Sequence, residues 1–448
     1  MNNGNTCYRN AVLQGLLSLP PFTSLLLLLL EAFPTMEKVP PSLSGWREVM
    51  VLANAMRRRS GDVLQHPANI SELMPSLCMR YHRVMAARRG DPAPVPASAP
   101  SNGQGPPSAA SANSSSTTTS TSSAAPSGNT KTAGGDGKGI QEDAMEFLDF
   151  LLDTLHEELA GGESEEEVLQ AAQESLAQAE GSWNTIGAGG SKGAVDDKSR
   201  LAAAKTTSSS SIHRLFFSTL RKEVTYAKTK KVSVTFEPNS HLQLSLEGPD
   251  GGGGGGSSSF NLGKRGAAPT TDLNAAVEVF FRSELLDNKN RLKNSFDSLP
   301  PALLLQFKRF TFDYKNRRAV KLLNAVRYPL RLVLRAKVCS DDLLSRLRDR
   351  KHSALTAADA AGHGANSVEG TLFETQGQQA EEAPAQEYDL AAVILHHGQS
   401  AAEGHYTSYA KGSDGVWRHF DDVKVSVVEA AVVTSAAKEA YLLFYLRL

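Results

Sequence analysis

The chain has 448 residues, a formal net charge of −1 and no long basic block, so composition gives no reason to expect a nucleic-acid partner. Three cysteines are too few for a disulfide framework and favour a reducing compartment. With no basic leader or cleavage site near the start, a cytoplasmic location is expected, with nuclear access left open.

Residues 5–90 are expected to be mostly helical, with prolines at 20–21, 40–41 and 67 as boundary signals. Leu25–Leu30 is a run of six leucines inside an apolar stretch that ends near Phe33. This stretch is too short to span a bilayer, so we predict a buried helix and no membrane partner.

Four stretches of biased composition should be low-complexity insertions: 91–139, 161–211, 248–268 and 353–387. They are rich in small or charged residues and bury too little apolar surface to offset their ordering entropy, which predicts disorder. The remainder, roughly 290 residues, suffices for one large domain.

The clearest predicted helix covers residues 141–159. Its apolar side chains recur at helical spacing: Ala144, Phe147, Leu148, Leu151, Leu152 and Leu155. Glu142 and Asp143 are expected in its first turn, where the helix dipole favours anions.

From residue 212 onward, short and partly alternating apolar runs predict strands, including 303–310, 388–396 and 441–446. The segment 412–415, Gly-Ser-Asp-Gly, is expected to turn a hairpin between two of them. Helices first and an antiparallel sheet later indicate the α+β class.

Three separated positions predict thiol chemistry. Cys7 opens an apolar helical pattern, where the positive end of the helix dipole favours a thiolate. His405 is the candidate base, and Asp421 or Asp422 supplies a carboxylate to orient it. An isolated cysteine is usually core filling and His405 alone would be a surface hairpin residue, but the agreement of the three segments favours catalysis.

Several short motifs occur in one order along the chain: Asn2–Gln14, Gln141–Phe147, Leu299–Leu303, Lys308–Phe310, His396–Gly398, Gly404–Tyr406, Trp417 and Asp421–Asp422. In these motifs the chain resembles the ubiquitin-specific proteases, a family of papain-like cysteine deubiquitinases, whose cysteine box reads Asn-x-Gly-Asn/Ala-Thr-Cys-Tyr-x-Asn. The sequence from His396 to Thr407 is most similar to the ubiquitin carboxyl-terminal hydrolase 10 subgroup.

The resemblance implies a single catalytic domain over 1–448 with the papain-like cysteine protease fold, shaped like a hand. A helical thumb would take about 1–90 and 140–160, β-rich fingers about 212–295, and an antiparallel-sheet palm about 296–448. The insertions would leave from surface loops.

It also implies hydrolysis of the bond after the C-terminal glycine of ubiquitin, through a thioester on Cys7 with His405 moving the proton. Asp421 would orient His405, with Asp422 as the competing candidate or an auxiliary group near the oxyanion or water. Asn2 would donate to the oxyanion. Because little chain precedes Asn2, we expect the sequence to be truncated and Asn2 to be poorly held.

Substrate binding would fall to Gln141, Asp143 and Tyr406. Asp143 would bind the arginine-containing ubiquitin tail, or serve only the helix dipole. Tyr406 would pack on that tail, or belong to the core. The loop Gly398–Gly404 would gate the narrow channel for the double glycine.

Many relatives hold structural zinc with two Cys-x-x-Cys pairs, and this chain has none. Cys78 and Cys339 are therefore expected to be inert core thiols, with no metal or cofactor. The expected partners are ubiquitin and ubiquitinated proteins. A catalytically silent ubiquitin-binding scaffold and a protease for another ubiquitin-like modifier remain the alternatives.

Overall fold

The fold is described from a computed structural model, which covers residues 6–59, 73–89, 142–160, 184–186, 210–246, 270–286, 289–313, 317–360, 383–400 and 403–448. The helices are α1 Cys7–Leu17, α2 Pro20–Ala32, α3 Ser44–Arg59, α4 Pro75–Arg89, α5 Ala144–Ala160, α6 Ser211–Phe216, α7 Leu273–Phe280, α8 Asp341–Ala360 and α9 Ala430–Ser435. Short 3-10 turns cover Met36–Lys38, Pro41–Leu43 and Ala336–Val338.

The strands are β1 Asn184–Ile186, β2 Ser218–Thr225, β3 Val232–Asn239, β4 His241–Leu244, β5 Thr271–Asp272, β6 Glu284–Leu286, β7 Asn290–Ser298, β8 Ala302–Phe307, β9 Phe310–Asp313, β10 Arg318–Lys321, β11 Val326–Arg327, β12 Arg331–Arg335, β13 Pro384–His397, β14 His405–Lys411, β15 Trp417–Asp421, β16 Lys424–Val428 and β17 Ala440–Arg447. Helices dominate the first part and strands the second, which confirms the α+β class.

An eight-stranded sheet forms the centre, in the order β16-β15-β14-β13-β17-β8-β4, with β12 also paired to β13. The prediction of an antiparallel sheet is wrong at one edge, because β4 runs parallel to β8. β4 also comes from the segment assigned to the fingers. Its side chains Leu242 and Leu244 are fully buried, and this apolar pair joins the central sheet.

A second sheet has the antiparallel order β1-β3-β2-β7-β6. It contains the long pairing of Ser218–Thr225 with Val232–Asn239, and all its strands except β1 lie within the stretch where the sequence predicts short alternating strands. Two-stranded pairs of β9 with β10 and of β5 with β11 complete the described sheets.

The central sheet is covered on both faces. Along β13, Ile394 packs into the core shared with the helices, whereas Val393 and Leu395 pack into a second core on the opposite face. A strand buried on both faces needs a continuous apolar run rather than alternation, which is what residues 390–395 provide.

Helix α1 lies between the other helices and the central sheet, so nearly all of its side chains are buried. Helix α2 differs from the buried helix that we expected. Leu26 is buried, but Leu27 and Leu28 are 44% and 62% exposed. Among the described helices none alone is long and apolar enough to cross a membrane; α1 and α2 pass that test only as a pair, bent by 87°.

Two predicted insertions carry regular structure at their edges or inside them. Helix α8 continues to Ala360 and strand β13 begins at Pro384, so both overlap the ends of the predicted insertion 353–387. A strand at Asn184–Ile186 and the start of α6 at Ser211 fall within 161–211. Alanine is a strong helix former, so the composition that suggested disorder also suits the end of α8. The insertions 91–139 and 248–268 lie outside the described residues.

Candidate active site

Cys7 is the first residue of α1, as the sequence predicts, and its side chain is only 4% exposed. The helix begins after Thr6, whose carbonyl accepts the first intrahelical hydrogen bond from the Asn10 N–H at 3.1 Å. Because α1 is buried between the helices and the sheet, the thiol is held on a rigid element.

His405 and Asp421 lie at the open end of one hairpin. His405 is the first residue of β14 and Asp421 is the last residue of β15, and the two strands pair antiparallel. The Nε2 atom of His405 is 2.6 Å from Oδ1 of Asp421. Both side chains are 37% exposed, so the pair is reachable from solvent.

The remaining ring nitrogen of His405, Nδ1, is left for Cys7. A hydrogen bond with the Cys7 side chain, and the bond with Asp421, raise the pKa of His405 from 6.5 to about 9 against the opposing effect of burial. A raised pKa means that the surroundings stabilise the imidazolium, the form that pairs with a thiolate. The three side chains therefore form a connected nucleophile, base and orienting carboxylate.

The two neighbouring carboxylates have different contacts. Asp421 bonds His405, and this hydrogen bond lowers the pKa of Asp421. Oδ1 of Asp422 accepts a hydrogen bond from Nδ2 of Asn10 at 2.9 Å. The orienting role expected of Asp421 matches this geometry. Among the described side chains, Asp421, Asp422 and His405 form the cluster that could hold a cation. This cluster overlaps the candidate catalytic residues.

Asp143 precedes helix α5 and caps it, rather than lying in its first turn as we predicted. Its Oδ1 accepts the backbone N–H groups of Met145 and Glu146, at 2.7 and 3.2 Å. The Tyr441 hydroxyl donates to the same carboxylate at 2.7 Å. Burial raises the pKa of Asp143, and the bond from Tyr441 opposes that shift.

Asp143 also lines a cavity of about 420 Å³ between α5 and the central sheet. Glu146 and Asp149 line it from the same helix, one and two turns further on. Burial, with Asp153 and Asp143 nearby, raises the pKa of Asp149 to about 7. Glu146 and Asp149 were not predicted as site residues, although they follow Asp143 in successive steps of three residues, which was a usable signal.

Tyr406 belongs to the core in this structure, which favours the second of the two interpretations. Its side chain is 2% exposed, and its ring contacts those of His396 and Tyr441 with centroids 4.8 and 6.1 Å apart. The backbone N–H of Ala144 donates to its hydroxyl. Tyr406 thus supports the start of α5, and with it Asp143.

The segment between β13 and β14 is held by Lys321, which the sequence analysis missed. Its Nζ atom donates to the carbonyl oxygens of His396 and Gly398, at 2.5 and 3.2 Å. Burial lowers the pKa of Lys321 to about 8. A side chain at Gly404 would overlap the carbonyl oxygen of His397, so glycine is required immediately before His405.

Arg309, in the Lys-Arg-Phe motif, is fully buried and its side chain binds backbone carbonyls. The sequence predicted a strand over 303–310, but β8 ends at Phe307, so Arg309 lies outside that strand. Its guanidinium donates to four carbonyl oxygens, those of Leu322, Asn324, Ala437 and Ala440.

Cys78 and Cys339 are buried and unpaired with other cysteines. Burial raises the pKa of Cys339 to about 12, which keeps it a neutral thiol. Cys78 accepts a hydrogen bond from Nη1 of Arg9 at 2.6 Å. Asn2 and Gln141, which we expected to bind the oxyanion and the substrate, lie outside the described residues.

Comparisons with known proteins identify relatives of the whole chain. Curated relatives include ubiquitin carboxyl-terminal hydrolase 24 of Arabidopsis thaliana, 25% identical over 99% of this chain and 63% of the relative. Ubiquitin carboxyl-terminal hydrolase 10 of Gallus gallus is 28% identical over 69% of this chain and 35% of its own length. The chain thus spans less than two thirds of these relatives.

Solved structures show the same fold. The structure of the SAGA DUB module, in which a cysteine-to-alanine variant of Ubp8 with Sgf11, Sus1 and Sgf73 is bound to monoubiquitin, aligns with a TM-score of 0.55 at 15% identity. That alignment covers all of this chain and 68% of the other. The family model described as ubiquitin carboxyl-terminal hydrolase matches residues 1–445. The chain therefore belongs to the ubiquitin carboxyl-terminal hydrolase family.

Proposed function

We propose that this chain is a thiol-dependent deubiquitinase, which hydrolyses the isopeptide or peptide bond after the C-terminal glycine of ubiquitin. The observation that carries the proposal is the contact of Cys7, His405 and Asp421, which come from three distant parts of the sequence. The names of the relatives and the ubiquitin-bound structural neighbour support the same substrate.

In the proposed reaction, Sγ of Cys7 attacks the carbonyl carbon of the terminal glycine and forms a tetrahedral intermediate. His405 then gives its proton to the leaving lysine amine, and a thioester remains on Cys7. Water, deprotonated by His405, attacks the thioester and releases the ubiquitin carboxylate and the thiol. Asp421 holds the imidazole in the orientation and tautomer that both steps need.

The oxyanion formed in each step needs donors in a site shielded from water. We assign this role to the backbone N–H of Cys7 and keep Asn2 as a second proposed donor. The three carboxylates that line the cavity beside α5, Asp143, Glu146 and Asp149, suit a basic substrate tail, since arginine pairs strongly with carboxylates. Gln141 stays a proposed contact to the same tail.

The thumb, fingers and palm division also remains a proposal, as does a reducing, cytoplasmic location with access to the nucleus. No disulfide joins the three cysteines, all of which the structure describes, and this supports the reducing compartment. Imaging a tagged full chain in its own cells would test the location.

The decisive experiment is labelling with ubiquitin that carries an electrophilic C-terminus, with Cys7→Ala as the matched control. A covalent adduct of the unaltered chain, absent in Cys7→Ala, together with cleavage of a fluorogenic ubiquitin substrate, is expected. Binding of ubiquitin without any adduct would instead identify a silent scaffold. Faster cleavage of another fluorogenic ubiquitin-like modifier would identify a protease of different specificity.

A further inference from the structure

Asn10 lies one helical turn after the nucleophile, on the same side of α1 as Cys7. Helix α1 packs on β14 and β15, the two strands that carry His405 and Asp421. The side chain of Asn10 is partly buried in this seam, and its Nδ2 atom donates to Asp422 at 2.9 Å. The bond therefore joins the nucleophile helix to the turn that immediately follows the base-orienting acid.

Asp422 holds an unusual backbone conformation. It is the first of the two residues that connect β15 to β16, and its φ of +50° lies in the left-handed region. Aspartate, asparagine and glycine tolerate this region better than other residues do. Because its neighbour Asp421 is paired with Lys424 at the end of the ladder, fixing Asp422 also fixes where the Asp421 carboxylate lies.

We propose that Asn10 is a positioning residue, which acts through Asp422 to set the alignment of the Cys7 helix with the hairpin that bears His405 and Asp421. This bond adds a second directional contact between the hairpin end and α1, beside the hydrogen bond between Cys7 and His405, because apolar packing is less directional than a hydrogen bond. Small errors in the placement of reacting groups reduce rate strongly, by as much as about 100-fold for a displacement near 1 Å.

The inference deepens the proposed function and rests on it for the substrate alone. It predicts that Asn10→Ala lowers kcat on fluorogenic ubiquitin by about 10- to 100-fold while KM changes little, because the substrate surface is untouched. Asp422→Gly removes the same bond and suits the left-handed backbone, but it also removes a carboxylate whose charge raises the pKa of His405, so its loss of kcat should be at least as large as that of Asn10→Ala. The double variant Asn10→Ala with Asp422→Gly should lose no more than Asp422→Gly alone.

A reciprocal exchange separates positioning from a general effect on folding. Asn10→Asp alone places two carboxylates together and should be the most damaging change at this position. Adding Asp422→Asn restores a donor and an acceptor with the original net charge, and should raise kcat about 10-fold above Asn10→Asp. Thermal unfolding of each variant identifies any change that merely destabilises the fold.

Alkylation of Cys7 by chloroacetamide gives a readout that needs no ubiquitin. Its rate should fall in Asn10→Ala and Asp422→Gly and recover in the exchanged pair. If the unaltered chain cleaves no ubiquitin substrate, the proposed function fails while this comparison still tests Asn10. Unaltered kcat and alkylation in folded Asn10→Ala, or fully additive losses in the double variant, would overturn the inference.

Discussion

Replacing Arg309 tests whether a single buried side chain secures the structure around the active site. Its guanidinium is fully buried and serves four backbone carbonyls. In Arg309→Met the volume is nearly kept, but the four carbonyls lose their donor. Each lost donor costs about 1 kcal/mol or more, partly offset because a buried charge is no longer desolvated, so we expect about 3–5 kcal/mol.

That loss is a large share of the about 5–15 kcal/mol that stabilises a typical domain. Urea unfolding followed by tryptophan fluorescence measures it as a lower midpoint at unchanged slope. The exposed neighbour provides the matched control, and Lys308→Met should stay within about 0.5 kcal/mol of the unaltered chain. Arg309→Lys keeps the charge but offers fewer donors, and should lie between the two. Equal midpoints for Arg309→Met and Lys308→Met would refute the reasoning.

Three further predictions concern the site itself. In Asp421→Asn the imidazolium of His405 loses a stabilising carboxylate, so the pKa of His405 falls from about 9. Because the charged form is then lost at lower pH, the alkaline limb of the pH profile of kcat/KM should move to lower pH. An unmoved limb would assign the orienting role to another residue. Gly404→Ala should abolish activity because it displaces the backbone before His405. The control Gly415→Ala has open space around it and a φ of +78°, so it should cost only about 1–3 kcal/mol of stability. Equal activity of the two variants would contradict this prediction. Lys321→Met should increase amide hydrogen exchange in residues 396–400, because two carbonyls lose their donor, and unchanged exchange would show that the segment is held by other contacts.

The sequence was sufficient to predict an element when that element buries one face against one core. Helix α5 was predicted within three residues of its start because its apolar spacing is regular. The predicted start of the helix was too early because Asp143 caps the helix with its side chain and so precedes its first residue. The run at Leu25–Leu30 carried no such periodicity, so hydrophobicity alone did not reveal that Leu27 and Leu28 face outward.

Contacts between distant parts of the chain were harder to predict. Cys7, His405 and Asp421 were found because each side chain has a distinct chemical role and the family motifs locate all three. Arg309 and Lys321 bind backbone carbonyls, which every residue carries, so no partner residue type marks their sites. Strand β4 has an ordinary alternating pattern, and nothing local shows that it joins the central sheet in parallel.

In the β14–β15 hairpin, the turn lies far from the candidate catalytic residues. His405 and Asp421 are at the open end, and the turn at 412–415 is at the closed end, six residues along β14. At about 3.3 Å per residue this is a separation of about 20 Å. A short peptide or reporter group inserted into the turn would therefore be attached to the strand that carries the candidate catalytic base, but would lie far from the thiol. Such a label offers a way to follow the motion of the hairpin during turnover without touching a reacting group.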